Sequence, residues 1–238
     1  MAKILGIESA SLTASVAIAD GDMLLAEYTV NYKKTHSQTL LPMIDEIITM
    51  TETDKQSIDA IAISAGPGSF TGLRIGSATA KGLGQALGKP LVAVPTLDAM
   101  AYHIFGSASL VCPLMDARRN QVYTGIYRNE KEFQVIKKSC AIAMEELLEE
   151  LNAMGEPVIF LGDGVPVQAE RIQASAGFSY SFAPAHLSRQ KAGAVAVLGA
   201  VYFEQGQVQT AAEHGPEYLR VSQAERELKE KKGISLPC

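Results

Sequence analysis

The most informative segment of this chain runs from Ile61 to Gly76 and reads IAISAGPGSFTGLRIG. Its first part is an apolar run that predicts a buried strand. A Gly-Pro-Gly turn follows, and the remainder opens a helix. The order strand, tight turn and helix is typical of an α/β protein, in which the helix packs back onto the sheet.

This helix carries glycine where glycine is costly. Every fourth residue is small, which gives one ridge with almost no side chains: Gly72, Gly76, Ala80, Gly84 and Gly88. Four glycines in a helix forfeit about 3–4 kcal/mol relative to alanine. The close approach of a second backbone is the usual compensation. We expect the opposite edge to face the chain's own sheet, which would leave the ridge for a partner; that edge consists of Ile75, Thr79, Leu83 and Leu87.

The ridge also has two alternative interpretations. The first is close packing within the monomer. The second is phosphate binding at the helix N-terminus, where free N–H groups attract anions. Neither common phosphate motif is present, because Gly88-Lys89 is followed by Pro90 and the third residue after Gly68 is Thr71. A surface for a partner helix is the favoured prediction.

The composition describes an ordinary globular protein. The chain has 238 residues, 47% hydrophobic and 20% charged, with a net charge of −5. This charge argues against broad binding of nucleic acid through phosphates. Three widely spaced cysteines predict neither a disulfide framework nor a zinc site. No apolar run is long enough to span a membrane, so we expect a cytoplasmic protein without a membrane partner.

The order of the predicted elements repeats along the chain. Each half begins with a strand, an acidic residue, a polar turn and a returning strand, and Glu8 and Asp116 take matching places. A third strand, helices and further strands follow in both halves. This predicts a duplicated βββαβαβα unit with mixed sheets. We expect a first lobe at residues 1–105, a second at 106–215, and a segment at 216–238 that returns to the first lobe and ends in a flexible tail.

This arrangement resembles the actin, sugar-kinase and Hsp70 (ASKHA) superfamily, where acidic residues hold a metal and turns hold phosphates. The corresponding positions predict at most a weak, vestigial nucleotide site at Glu8, Asp116, Gly162 and Gly164. The plainer interpretation is that these are turn residues at the ends of strands. The four histidines are scattered without ligand spacing, so no metal, cofactor or catalytic residue is predicted.

Several motifs together resemble the bacterial TsaB (YeaZ) family over nearly the whole chain. The most specific is the segment Gly66–Gly76, and the others are Ile7-Glu8-Ser9-Ala10, His36–Pro42, Pro95-Thr96-Leu97, Asp116-Ala117-Arg118 with Val122-Tyr123, and Glu217–Arg220. The resemblance implies an ASKHA fold. It also implies a non-catalytic role in making threonylcarbamoyladenosine, a modification of tRNA beside the anticodon.

The resemblance further implies the partners. Catalysis would reside in TsaD, a metal-containing paralogue, and the ATPase TsaE would complete the complex. The chain has only His103 where TsaD carries a His-x-x-x-His pair. We expect pairing with TsaD, or a homodimer in isolation, through the first two helices, with tRNA contacted indirectly. The implied interface residues are Leu40, Met43, Ile44, Ile47, Met50, Gly68, Phe70, Gly72, Leu73, Gly76, Ala80 and Gly84.

Two different functions remain as alternatives. One is an ATP-dependent small-molecule kinase of the same fold, which micromolar ATP binding with turnover would support. The second is a metallopeptidase, which is disfavoured because no metal-ligand spacing is present.

Overall fold

The computed structural model describes residues 2–118 and 120–219. The first half contains, besides a short 3-10 turn, the elements β1 (Lys3–Glu8), β2 (Ala14–Asp20), β3 (Met23–Val30), α1 (His36–Met50), β4 (Ala60–Gly66), α2 (Phe70–Leu87), β5 (Leu91–Pro95) and α3 (Thr96–Tyr102). The second half contains β6 (Ser107–Asp116), β7 (Gln121–Asn129), β8 (Phe133–Ala143), α4 (Met144–Met154), β9 (Val158–Leu161), α5 (Val165–Ser175), β10 (Tyr180–Phe182) and α6 (Ala192–Glu204).

The two halves form two sheets with the same topology. The first sheet has the order β3-β2-β1-β4-β5, and the second has the equivalent order β8-β7-β6-β9-β10. In each, the first three strands are antiparallel and the last two are parallel to the first strand of the half. The predicted α/β fold with a duplicated βββαβαβα unit is confirmed. Sequence patterns miss the three-residue strand β10 and end β8 too early, at Ile136.

The central strand β4 shows why helices cover both faces of the first sheet. Ile61 and Ile63 point into a core that contains α1 and α2 residues, whereas Ala60 and Ala62 point into a core formed with α6. The small residues on the second face let α6 lie close to the sheet. A Cβ atom on Gly6 would lie 2.5 Å from the Ala192 carbonyl oxygen, so only glycine fits there.

The last helix of each half makes contacts with the other half. From α3, Leu97 and Met100 pack with Val111 and Tyr127 of the second sheet. In return, α6 covers the first sheet. The side chain of Ser15 accepts a hydrogen bond from the Ala192 N–H at 3.0 Å, and a Glu27 carboxylate oxygen accepts one from the Gly193 N–H at 2.7 Å. The packing therefore crosses the lobe boundary expected at residues 105 and 106.

The chain after α6 returns along the first sheet earlier than expected. Gln209 pairs with Leu91 at the edge of β5, and the Glu217 N–H donates to the Ala65 carbonyl at 2.7 Å. Gly66 makes room for this contact, since its φ is +133° and a Cβ there would lie 2.2 Å from the Glu217 carbonyl oxygen. The flexible tail expected at the end of the segment 216–238 lies outside the described residues, which end at 219. Among the described residues, no helix is long and apolar enough to cross a membrane.

Candidate functional site

The glycine ridge of α2 faces the interior of the monomer. A Cβ atom on Gly72 would lie 2.1 Å from the Ser9 carbonyl oxygen, and one on Gly76 would lie 2.1 Å from the Ser9 hydroxyl. A Cβ on Gly84 would lie 2.9 Å from Leu91, and Ala80 is fully buried. The prediction that this ridge is uncovered for a partner is therefore wrong. The backbone that approaches the ridge is the chain's own loop after β1.

The turn before α2 packs on the same loop. The Ser69 N–H donates to the Ala10 carbonyl at 2.6 Å, and the Ser69 hydroxyl accepts from the Gly72 N–H as the helix cap. A Cβ on Gly68 would lie 2.3 Å from the Ala10 carbonyl oxygen. Gly68 and Gly72 thus serve packing within the monomer. Gly72 is buried and is corrected as an interface residue, whereas Gly68 is half-buried and its interface role stays a prediction. Gly88 does not extend the ridge, because it ends the helix with φ +66°.

Most of the apolar anchors expected on the first two helices are also buried. The first core contains Leu40, Met43, Ile44 and Ile47, and Leu73 of α2 lies in a second core between the halves. Their role as partner contacts is corrected. Met43 is only 8% exposed, whereas Leu41 on the same helix is 55% exposed. Met50, at 72% exposed, lies in solvent.

A second ridge, whose last three residues are small, lies on the outer face of α2. The residues at this spacing are Phe70, Arg74, Ala78, Gly82 and Ala86, and all five are exposed. Around Gly82, no atom lies within 4 Å of the position that a Cβ would take. The edge formed by Ile75 and Leu83 is partly buried against the first core. We call the five residues from Phe70 to Ala86 the outer ridge. The spacing of the outer ridge is visible in the sequence. The inner ridge contains more glycines, and for that reason the sequence predicts the partner surface on the inner face of α2.

An open cleft of about 980 Å³ separates the two halves and begins next to the outer ridge. The first half contributes Ser11, Lys34 and the turn before α2. The second half contributes the turn between β6 and β7 and an acidic residue shortly after β9. Glu217 and Tyr218 close one end. The charged lining residues are Lys34, Asp116, Arg118, Asp163 and Glu217.

Glu8 lies beneath this cleft rather than on its surface. The side chain is 1% exposed, and one carboxylate oxygen accepts a hydrogen bond from the Ala10 N–H at 2.6 Å. Burial raises the pKa of Glu8 to about 7, although the Ala10 N–H and the Ser64 hydroxyl favour the charged form. The carboxyl group is therefore turned into the protein and partly protonated at neutral pH.

The two glycines of the Gly-Asp-Gly turn have N–H groups that are already bonded. Gly162 donates to the Ser188 carbonyl at 2.8 Å and Gly164 to the Leu114 carbonyl at 2.9 Å. Asp116 accepts from the Arg118 N–H at 2.7 Å, as a turn residue does. Burial raises the pKa of Asp163 above its usual range, an effect that Arg189 opposes. The vestigial nucleotide site stays a prediction, and these contacts favour a role as ordinary turn residues.

The histidines take separate places in the described part of the chain. His36 bonds to the Ser11 carbonyl at 2.8 Å, and His214 bonds to the Gln209 side chain at 3.0 Å. Burial and the charge of Lys191 lower the pKa of His103 to about 4, so its ring is neutral. Within residues 2–118 and 120–219, no three His, Cys, Asp or Glu side chains are grouped so that they could hold a metal ion.

Comparisons with known proteins agree with this architecture. Residues 23–228 match the family model described as "TsaD: tRNA N6-adenosine threonylcarbamoyltransferase". The tRNA threonylcarbamoyladenosine biosynthesis protein TsaB of Bacillus subtilis is 31% identical over 226 residues, which cover 93% of this chain and 96% of that protein. TsaB of Escherichia coli is 35% identical over 131 residues, which cover 54% of this chain and 56% of that protein.

A solved structure has the same fold. YeaZ from Pseudomonas aeruginosa superimposes with a TM-score of 0.79 at 26% identity, over 92% of this chain and all of that one. Three findings agree on the family. The chain has two five-stranded sheets of the same topology, a relative matches it over nearly the whole length, and a family model spans most of it. The chain belongs to the TsaB (YeaZ) family of tRNA threonylcarbamoyladenosine biosynthesis proteins and has the ASKHA fold.

Proposed function

We propose that this protein is a non-catalytic subunit of the complex that transfers the threonylcarbamoyl group to tRNA. TsaD would perform the transfer, TsaE would complete the complex, and tRNA would be contacted through the complex. The observation that carries the proposal is the state of Glu8. The acidic residue at the end of β1 is sealed under Ala10 instead of facing the cleft, so it is badly placed to hold a metal or a phosphate.

The outer surface of α1 and α2 is the proposed contact with TsaD. It is centred on the outer ridge. The helix α1 also exposes two large apolar side chains, Leu41 and Met50, which lie about 180° apart around that helix. Side chains as small as those of Ala78 and Gly82 allow another helix to approach closely. A stable interface of this kind buries about 800 Å² per partner. A homodimer formed through the same surface would compete with TsaD.

A pair of variants at Gly82 tests this contact. Gly82→Tyr places a bulky side chain in open space, so the fold should be unchanged while a close-packed interface is overfilled. Overfilling costs about 1–3 kcal/mol, which corresponds to roughly fivefold to 150-fold weaker binding. Gly82→Ala is the matched control and should bind far better than Gly82→Tyr. The measurement is the affinity for purified TsaD by calorimetry, with size-exclusion chromatography as a check.

Reconstitution tests the role itself. Threonylcarbamoyl transfer to tRNA by purified TsaD and TsaE should require this chain, and Gly82→Tyr should lower the rate at subsaturating concentrations. If Gly82→Tyr forms the complex as tightly as the unmodified chain, the contact is not on the outer ridge. If transfer proceeds equally well without the chain, the proposed role is wrong.

A small-molecule kinase of the same fold is the second candidate, since the cleft is large enough for a nucleotide and its substrate. Calorimetric titration of the isolated chain with ATP, together with a phosphate-release assay, separates the two functions. Micromolar binding with turnover would favour the kinase.

A further inference from the structure

Three side chains form a compact cluster where the outer ridge meets the cleft. The guanidinium carbon of Arg74 lies 3.9 Å from the centre of the Phe70 ring, one helical turn away. The Phe70 and Tyr218 rings are 5.0 Å apart. The Arg74 Nε–H donates to the Tyr218 hydroxyl at 3.1 Å. Tyr218 comes from the returning segment, so the cluster joins α2 to the far end of the chain.

The cluster fixes the direction of the guanidinium group. An exposed arginine normally samples many rotamers and loses that freedom on binding, which weakens its contribution. Here the ring of Phe70 supports one face of the guanidinium, and the tyrosine hydroxyl holds its Nε atom. Among the described residues, no salt bridge or further hydrogen bond to Arg74 is formed. Within residues 2–118 and 120–219, the two terminal nitrogens of the exposed Arg74 are therefore an oriented pair of donors without a partner.

We propose that Arg74 is an anchor that binds a carboxylate of the protein partner that docks on the outer ridge. This inference rests on the proposed function and adds the chemistry of the contact. A planar guanidinium binds a carboxylate through two parallel hydrogen bonds. Arginine and tyrosine are also enriched among the few residues that dominate binding energy at interfaces.

The surroundings favour a protein carboxylate over an RNA phosphate. The next residues of the ridge, Ala78 and Gly82, are small and suit a close helix, whereas they offer no positive charge to a nucleic acid backbone. Glu217 lies next to Tyr218 and is exposed, and the whole chain carries a charge of −5. Both features disfavour a polyanion.

The test measures the affinity of four purified variants for purified TsaD in the absence of tRNA. Arg74→Gln removes the charge and should weaken binding by about 30-fold, as for an interface hot spot. Arg74→Lys keeps the charge but loses the planar fork and should still weaken binding about tenfold. Tyr218→Phe keeps the ring and loses only the orienting hydroxyl, so about threefold is expected. Lys138→Gln on β8 makes the same charge change elsewhere and should have no effect.

The salt dependence of binding supplies a second readout. Binding by the unmodified chain should weaken as salt is raised, and Arg74→Gln should reduce that dependence while Lys138→Gln should not. Equal affinities for Arg74→Gln and the unmodified chain would overturn the anchor. An effect of Arg74→Gln that appears only when tRNA is added would also overturn it, in favour of a phosphate contact.

The Gly82 pair keeps the two proposals distinguishable. If Gly82→Tyr blocks binding and Arg74→Gln does not, the outer ridge is the interface but Arg74 is not its anchor. If neither variant weakens binding, both proposals fail. Thermal unfolding of each variant excludes loss of fold as the cause.

Discussion

Both faces of α2 include small residues at every fourth position, and yet these residues meet different surroundings. On the inner face, Gly72 and Gly76 lie against Ser9, and a Cβ atom at either position would overlap it. On the outer face, Gly82 has no atom within 4 Å of the position of a Cβ. The positions of Ala80 and Gly82 are two residues apart, which is about 200° around the helix. Small residues at every fourth position of a helix therefore predict that another backbone lies close. They do not tell whether that backbone belongs to the same chain or to a partner.

Gly76→Leu is expected to have the largest effect on this comparison. The new side chain would enter the space of the Ser9 hydroxyl and of Ile63, whose Cδ1 atom lies 3.1 Å from the Cβ position. Since these atoms belong to β4 and to the loop after β1, a loss of about 4 kcal/mol or more is expected, and folded protein should be scarce. Urea unfolding and soluble yield are the measurements. A stable, monomeric Gly76→Leu protein would contradict the inward packing.

The pH dependence of the free energy of unfolding that is linked to Glu8 tests the packing of the loop after β1. This loop contacts the inner face of α2. The pKa of Glu8 is about 7 in the folded protein against an ordinary value of 4.5, so the folded state binds the extra proton between these values. Stability linked to this group therefore falls as pH rises from about 4.5 to 7 and is lost above that range. Glu8→Gln should abolish this dependence and be about 3 kcal/mol more stable than the unmodified chain at pH 8, with little difference at pH 4.

The measurement must compare the two proteins at each pH. His103 has the opposite linkage, because its pKa of about 4 in the folded protein lies below the usual 6.5, so its share of stability rises with pH between these values. That contribution is common to both proteins and cancels in the difference. Urea unfolding from pH 4 to 8 gives the curve. If the difference in the free energy of unfolding between Glu8→Gln and the unmodified chain is the same at every pH, the Glu8 carboxyl group is not buried.

Gly82→Ala should show the smallest effect, and in the opposite direction. The outer position has room for a methyl group, and alanine is a better helix former. A gain of about 0.5–1 kcal/mol in the free energy of unfolding is expected. Thermal unfolding of the isolated chain measures it. A loss of stability would show that the two faces of α2 are more alike than the distances indicate.

Much of the fold could be predicted from sequence because its signals are local. The strand, turn and helix from Ile61 to Gly76 are in place. The burial of Met43 is also predictable. Residues 40, 43, 44, 47 and 48 follow the 3.6-residue period of a helix, and Leu41 does not fit it. The burial of Met43 is thus predicted by its position on the helix and not by its residue type.

Other features depend on distant parts of the chain and could not be predicted. The direction of the glycine ridge is set by Ser9 and Leu91, which lie outside α2. The sealing of Glu8 requires the loop after β1 to fold over it. Tyr218 reaches Arg74 only because the returning segment crosses the edge of the first sheet. Neither spacing nor propensity records such contacts.

The placement of α6 affects how the chain can be made. One whole face of the first sheet, including Ala62 and Val94, is covered by a helix that begins at Ala192. During synthesis, that face stays bare until α6 has left the ribosome. The amino-terminal half therefore cannot fold as a separate unit. A fragment that ends near residue 105 should aggregate and be degraded rapidly in a cell. The first half is completed only when α6 of the second half has packed against it.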